Sequence, residues 1–231
     1  MSRTDSYKHI VLVEGQTDKN FFLPFFQGEL KQKSKQIGIR IPEETLDLKT
    51  KKPLRVRGVG GVIHSLNILL QLRSSGQKSL FAIVDADEDY ENRFKQFKDA
   101  FTLAGFDVAE PNKVYKQNGL SVGVFIIGEN KPDPTFKDLE TLLFSIRTHQ
   151  TEVQYQTPLD AFQTFCQTYK VSHPDKSAMS IYLAHLPEFC NHDFGKGLDL
   201  GYFNPKSPEL AFLNNLLTHI RLEDTINLST P

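Results

Sequence analysis

Leu12-Val13-Glu14-Gly15-Gln16-Thr17-Asp18 is the stretch whose reading decides the fold. Residues 9–13 form a short apolar, β-branched run that ends abruptly at Glu14-Gly15. Such a run reads as a parallel strand buried on both faces. It delivers one carboxylate to its end, and glycine allows a tight exit. Thr17 then reads as a helix cap, with Asp18 favourable at the positive end of the helix. Phe21, Phe22, Phe25, Phe26 and Leu30 follow at helical spacing, and Pro24 among them predicts a short or kinked helix.

The pattern repeats downstream. Residues 79–84 are a second apolar strand closing on Asp85-Ala86-Asp87-Glu88-Asp89. Between the two strands, residues 31–53 read as polar and irregular, with a short strand over 54–56. The Gly58-Val59-Gly60-Gly61 turn then opens an amphipathic helix that ends near Gly76. Phe94, Phe97, Phe101 and Ala104 line the next helix, which Gly105 stops. Residues 114–116 and 122–127 read as strands around an Asn-Gly turn. Alternating strands and helices predict an α/β fold: a mostly parallel sheet with helices on both faces and right-handed crossovers. Ligands bind such sheets at the carboxyl ends of the strands.

After Pro134 the character changes. Leu139, Leu142, Leu143 and Ile146 mark a helix. Thr157-Pro158-Leu159-Asp160 reads as a further helix start, and 175–186 and 208–222 also read helical. The expected division is an α/β domain over 1–149 and a helical extension over 150–231 packed on it. The 231 residues are 39% hydrophobic and 24% charged, an ordinary globular composition that can bury a real core. A formal net charge of -1 offers no global field for nucleic acid, so any such contact needs a local patch. Cys166 and Cys190 make neither a disulfide framework nor a four-cysteine zinc site, and a reduced cytoplasmic setting is expected. No signal peptide, membrane span, repeat or low-complexity tract is read.

Adjacent strands lie roughly 4.8 Å apart, so carboxylates at neighbouring strand ends can converge on one cation. Bare, they would repel, and one would have to hold its proton. Mg²⁺ resolves this with carboxylate and water ligands and keeps positions open for phosphate. Solvated acids in surface loops are the plainer reading of Asp85-x-Asp87 alone; Glu14 on a second buried strand favours the metal. A calcium loop starting at Asp85 fails, because Tyr90 stands where glycine is needed and Gln96 where glutamate is needed. An apolar strand ending in DxD also resembles the nucleophile strand of haloacid-dehalogenase-like phosphatases. Asp89 stands where those carry Thr or Val, and their motif normally opens the domain.

Val11-Leu-Val-Glu14-Gly-Gln-Thr-Asp18, with Ala82-Ile-Val-Asp85-Ala-Asp87 at a distance, resembles the Toprim domain of topoisomerases, bacterial primases, recombination mediators and OLD-family nucleases. The EGxTDxxFF form is most similar to the OLD-like branch and to small stand-alone Toprim-like proteins. The resemblance covers about residues 8–147. It implies Glu14 as metal ligand or general acid/base, and Asp85 and Asp87 as metal ligands. It implies a further acid for a second metal, best matched by Glu140 of Asp138-Leu-Glu140. Asp18 and Asp89 can face the same cavity. OLD-like sites also use a downstream lysine, which Lys176 matches by position only.

Lys49, Lys51, Lys52, Arg55 and Arg57 lead into Gly60 and Gly61, a basic run beside a helix start that could position a phosphodiester backbone. A charge run is more often a solvated face, and no interleaved aromatic supports base stacking. His185, Cys190, His192 and Asp193 have zinc-ligand chemistry but no common finger spacing. The expected function is Mg²⁺- or Mn²⁺-dependent phosphodiester processing, nuclease-like, with nucleic acid as partner. The alternatives are a non-catalytic module that binds nucleic acid, nucleotide or a protein partner, and a metal-dependent phosphatase.

Overall fold

A computed structural model of the chain describes residues 7–72, 76–148, 152–170, 174–184, 186 and 193–223. Five strands form one sheet: β1 (His9–Leu12), β2 (Ile37–Arg40), β3 (Ser79–Asp85), β4 (Tyr115–Gln117) and β5 (Leu120–Ile127), in the order β2-β1-β3-β5-β4. The first four in that order run parallel. Only the edge strand β4 is antiparallel, paired with β5. The register sets His9 opposite Ile37 and Ser79, and Asp85 opposite Ile127.

Eight α-helices accompany the sheet among the described residues: α1 (Gln16–Leu30), α2 (Gly58–Gln71), α3 (Tyr90–Leu103), α4 (Leu139–Ser145), α5 (Val153–Tyr169), α6 (Pro174–Ala184), α7 (Phe194–Asp199) and α8 (Asn214–Glu223). Alternation along the strands makes two cores. Val11, Phe81 and Phe125 point to one face and meet the phenylalanines of α1, together with residues of α4, α6, α7 and α8. Ile10, Leu12, Leu80 and Val124 point to the other and meet Val62 and Leu66 of α2 and Phe97 and Phe101 of α3. Burial on both faces is why β1, β3 and β5 carry continuous apolar runs. Helices beyond residue 150 share the first core with the sheet, so both halves of the chain contribute to that core.

Several local expectations are corrected. Helix α1 is capped by Gly15, and Thr17 lies inside its first turn. Pro24 sits within fifteen helical residues and does not shorten them. Proline lacks the N–H that would bond the Asn20 carbonyl. Gly195 of α7 packs against that carbonyl so closely that a Cβ there would stand 2.2 Å from Asn20 O. Residues 31–53 contain β2, an unforeseen strand, whereas 54–56 form none; only a bridge joins Leu46 to Pro53. Helix α2 starts at Gly58, so the glycines lie within its first turn and not ahead of it. Helix α5 starts at Val153, four residues before Thr157. The expected Asn-Gly turn is present, with Asn118 and Gly119 both at positive φ (51° and 72°) between β4 and β5.

A carboxylate cavity at the carboxyl end of the sheet

Three strand ends and three helix starts meet at one edge. Glu14 follows β1, Asp85 is the last residue of β3, and Ile41 and Glu43 follow β2. Asp18 lies in the first turn of α1 and Glu140 in the first turn of α4, while Arg57 caps α2. These residues line a cavity of about 580 Å³ with Gly15, Gln16, Thr17 and Gly58. Glu140 is buried, at 8% exposure. A one-turn offset places Asp18 on the same side of α1 as the Glu14 that precedes it.

Backbone hydrogen bonds hold the acids. The Asp85 N–H donates to Glu14 Oε1 at 2.9 Å, tying the end of β1 to the end of β3. The Leu139 N–H, first in α4, donates to Asp85 Oδ1 at 3.0 Å. The Gly15 N–H donates to Asp18 Oδ2 at 2.8 Å and closes the start of α1. The last two contacts set carboxylates at helix N-termini, where the helix dipole favours negative charge. Gly58 has φ +60°, a left-handed conformation, and a Cβ there would lie 3.7 Å from Glu14 Oε2. Glycine therefore lets α2 begin beside the acids.

The dipoles do not neutralise the cluster. Burial, then the Glu14 and Glu140 charges, push the Asp18 carboxyl up to about 7, against the opposing Gly15 hydrogen bond. Burial and the charges of Asp18, Glu14, Asp138 and Glu140 raise the Asp85 carboxyl well above the carboxylate range. Asp18 and Asp85 thus hold their protons more tightly than free carboxyls, as expected for buried acids close to like charges. The donor set is oxygen only and carboxylate-rich, which fits Mg²⁺ or Mn²⁺ better than softer metals. Among the described residues, no three His, Cys, Asp or Glu side chains stand ready as a metal cage.

The cavity thus gathers Glu14, Asp18, Asp85 and Glu140 of the expected set. Asp87 and Asp89 lie elsewhere. Asp87 sits at φ +53°, donates its N–H to the Lys137 carbonyl at 2.9 Å, and forms an ion pair with Arg93. It lines a separate hollow with Asp89, Glu91 and Glu129. The left-handed turn after Ala86 swings its carboxylate away from Asp85. Asp89 caps α3 by accepting the Asn92 N–H at 2.9 Å. Asp138 caps α4 by accepting the Thr141 N–H at 2.8 Å, close enough to Asp85 to raise its proton affinity.

Of the basic run, only Arg57 reaches the cavity, where its Nε meets Glu43 Oε1 at 2.7 Å. Lys49, Lys51 and Lys52 are exposed on a loop organised by Asp47, which accepts the Lys49 and Thr50 N–H groups at 3.0 and 2.7 Å. Arg55 is exposed. Gly60 is exposed in the first turn of α2. Gly61 is a packing glycine: its N–H goes to the Arg57 carbonyl at 3.3 Å, and a Cβ would stand 2.3 Å from Val56 O. Lys176 lies on α6, but its side chain is outside the described residues. His185, Cys190 and His192 are also outside them, and Asp193 caps α7 through the Lys196 N–H at 3.0 Å. Sequence reasoning missed Glu43, because it follows the unforeseen β2, and missed the closeness of Gly58 to Glu14, which depends on sheet order.

Fold and cavity together define a mostly parallel, Rossmann-like α/β protein with an enclosed acid cluster at the carboxyl ends of its strands. Residues 8–221 match the family described as "Protein of unknown function (DUF3226)", and the chain belongs to that family. No curated protein and no solved structure matches it. Among the described residues, no helix is long and apolar enough to cross a membrane.

Proposed function

We propose that the protein is a Toprim-type, Mg²⁺- or Mn²⁺-dependent phosphodiester-processing enzyme that acts on nucleic acid in a nuclease-like manner. One observation carries this reading: Glu14, Asp18, Asp85 and Glu140 share one cavity, where burial and the charges of Glu14 and Glu140 raise the proton affinity of both Asp18 and Asp85. A divalent ion held by these four would supply positive charge to a phosphoryl oxygen and generate a nucleophilic hydroxide from water. Glu14 keeps the ends of β1 and β3 at fixed separation through the Asp85 N–H. Leu139 does the same for Asp85 and α4. Arg57 at the rim is the residue suited to a substrate phosphate, with Glu43 as the partner it would exchange. A cytoplasmic location belongs to the same reading and rests on cysteine usage.

The reading is tested by cleavage of single- and double-stranded DNA and RNA with Mg²⁺ or Mn²⁺, comparing wild type with Glu14→Gln and Asp85→Asn. Metal-dependent cleavage lost in both variants supports it. Equal cleavage by all three proteins overturns it as sited here.

A second reading, a non-catalytic module binding nucleic acid, nucleotide or a protein partner, is favoured by the diversion of Asp87 to Arg93, which splits the Asp85-x-Asp87 pair. Nucleic-acid binding that survives both substitutions without cleavage would select it. Hydrolysis of a generic phosphomonoester would instead select the phosphatase alternative.

A further inference from the structure

We propose that a second cavity, beyond the carboxyl end of α4, binds the phosphate group of a small ligand through the guanidinium of Arg147. Residues 146–148 run antiparallel to 202–204 there. Arg147 bridges to Phe203, flanked by the Thr148 N–H on the Tyr202 carbonyl at 3.0 Å and the Asn204 N–H on the Ile146 carbonyl at 2.9 Å. Ile146, Arg147, Thr148, Phe203 and Asn204 of these segments, with Gly201, Pro205 and Ser207, border an open hollow of about 600 Å³, within the usual size range for small-molecule sites.

Arg147 is fixed in place. Its guanidinium carbon lies 3.8 Å from the centroid of the Phe144 ring, and its Nη1 donates to the Phe144 carbonyl. That contact accounts for a capping role at the negative end of α4. It uses one of five N–H donors. The Nε is buried and has no acceptor among the described residues, and no carboxylate among them forms an ion pair with this arginine. Burial lowers its proton affinity below the ordinary arginine value. A half-desolvated guanidinium whose stacking limits its motion is prepared for an oxyanion, and its planar fork favours phosphate.

The other polar groups of the wall narrow the donor set. Thr148 Oγ1 donates to the Gly201 carbonyl at 3.0 Å, and the Ser207 hydroxyl donates to Glu209. Asn204 accepts the Lys206 N–H through Oδ1 at 3.0 Å, which leaves its amide nitrogen as the second donor beside Arg147. This cavity is separate from the acid cluster: Glu140 opens α4 and Arg147 lies past its end, about 10 Å further along the chain axis at helical rise.

The test is calorimetric titration of the full chain in EDTA with inorganic phosphate, a nucleoside monophosphate, and the same nucleoside without phosphate. Both phosphate-bearing probes bind saturably and the nucleoside does not. A tighter nucleoside monophosphate identifies a nucleotide source, and equal affinities identify free phosphate. R147Q abolishes binding. N204D keeps the Oδ1 contact and the Arg147 capping bond but adds a like charge, and it weakens binding by roughly tenfold. If R147Q fails to fold, N204D decides. E14Q binds as wild type, which separates this site from the acid cavity. Absence of saturable binding to wild type up to about 20 mM phosphate, an affinity of only some 2 kcal/mol, overturns the proposal. So does wild-type affinity in N204D.

Discussion

The Glu14 carboxylate accepts the backbone N–H of Asp85 at 2.9 Å, so a side chain at the end of β1 fixes the main chain at the end of β3. Asp85 in turn fixes the start of α4 through the Leu139 N–H. The acids are therefore part of the architecture they sit in, and substitutions must be chosen to separate charge from hydrogen bonding.

Glu14→Gln makes that separation. The amide oxygen still accepts the Asp85 N–H, while one charge leaves the cluster. Asp18 and Asp85 then lose one source of repulsion. In EDTA at pH 8 the variant is expected to be as stable as wild type or more stable by about 1 kcal/mol, the range typical of relieved functional sites. Urea denaturation measures this. A loss of more than 1 kcal/mol would show that the interaction depends on the charge.

The pH dependence follows from the sign of the shifts. Asp18 rises from an ordinary 3.8 to about 7, and burial and neighbouring charges raise Asp85 well above the same starting value. Between the unfolded and folded values the native state holds more protons than the unfolded chain. The stabilising contribution is thus complete below about 3.8 and is lost as pH rises through 7. Metal-free protein should melt at lower temperature at pH 8 than at pH 5.5. Mn²⁺, which binds the ionised acids, should raise the melting temperature more at pH 8 than at pH 5.5. Parallel melting curves with and without metal at both pH values would contradict this.

Asp87→Asn addresses the split of the acidic pair. The Asp87 side chain is 56% exposed and paired with Arg93, outside the cavity. Exposed ion pairs contribute roughly 0–1 kcal/mol, so little stability is lost. Mn²⁺ affinity should stay within about threefold of wild type, a change of no more than ~0.7 kcal/mol, whereas Asp85→Asn removes binding. Equal losses in the two variants would mean that Asp87 turns into the cavity when metal arrives.

Gly61→Ala tests whether that glycine packs or binds phosphate. A methyl group would press on Val56 O and on Pro42, the latter at 2.9 Å. Overpacking of this kind costs about 1–3 kcal/mol. Chemical denaturation should show the loss, with Mn²⁺ affinity unchanged in the folded fraction.

How much was readable beforehand depended on burial. β1, β3 and β5 lie between two helical layers, so their apolar runs marked them in the sequence. β2 is a four-residue edge strand between a lysine-rich segment and Pro42, too short and too flanked by polar residues to stand out. Helix starts were harder, because Gly15 and Asp18 share the capping of α1 through a backbone N–H, leaving Thr17 without that role. Glu14 and Asp85 could be placed at strand ends from local pattern, and Asp18 from its one-turn offset. Asp87 could not, because a single left-handed residue reverses the direction expected from DxD spacing. Glu43 and Gly58 enter the cavity only through sheet order, which no local pattern encodes.

Glu14, Asp18, Asp85 and Glu140 are proposed to form one metal site. Anomalous scattering from Mn²⁺-soaked crystals locates the ion. A peak is expected in the cavity at the ends of β1 and β3, within ligand distance of Asp85 and Glu14. An empty cavity, or a peak confined to the hollow beside Asp87 and Asp89, would contradict it.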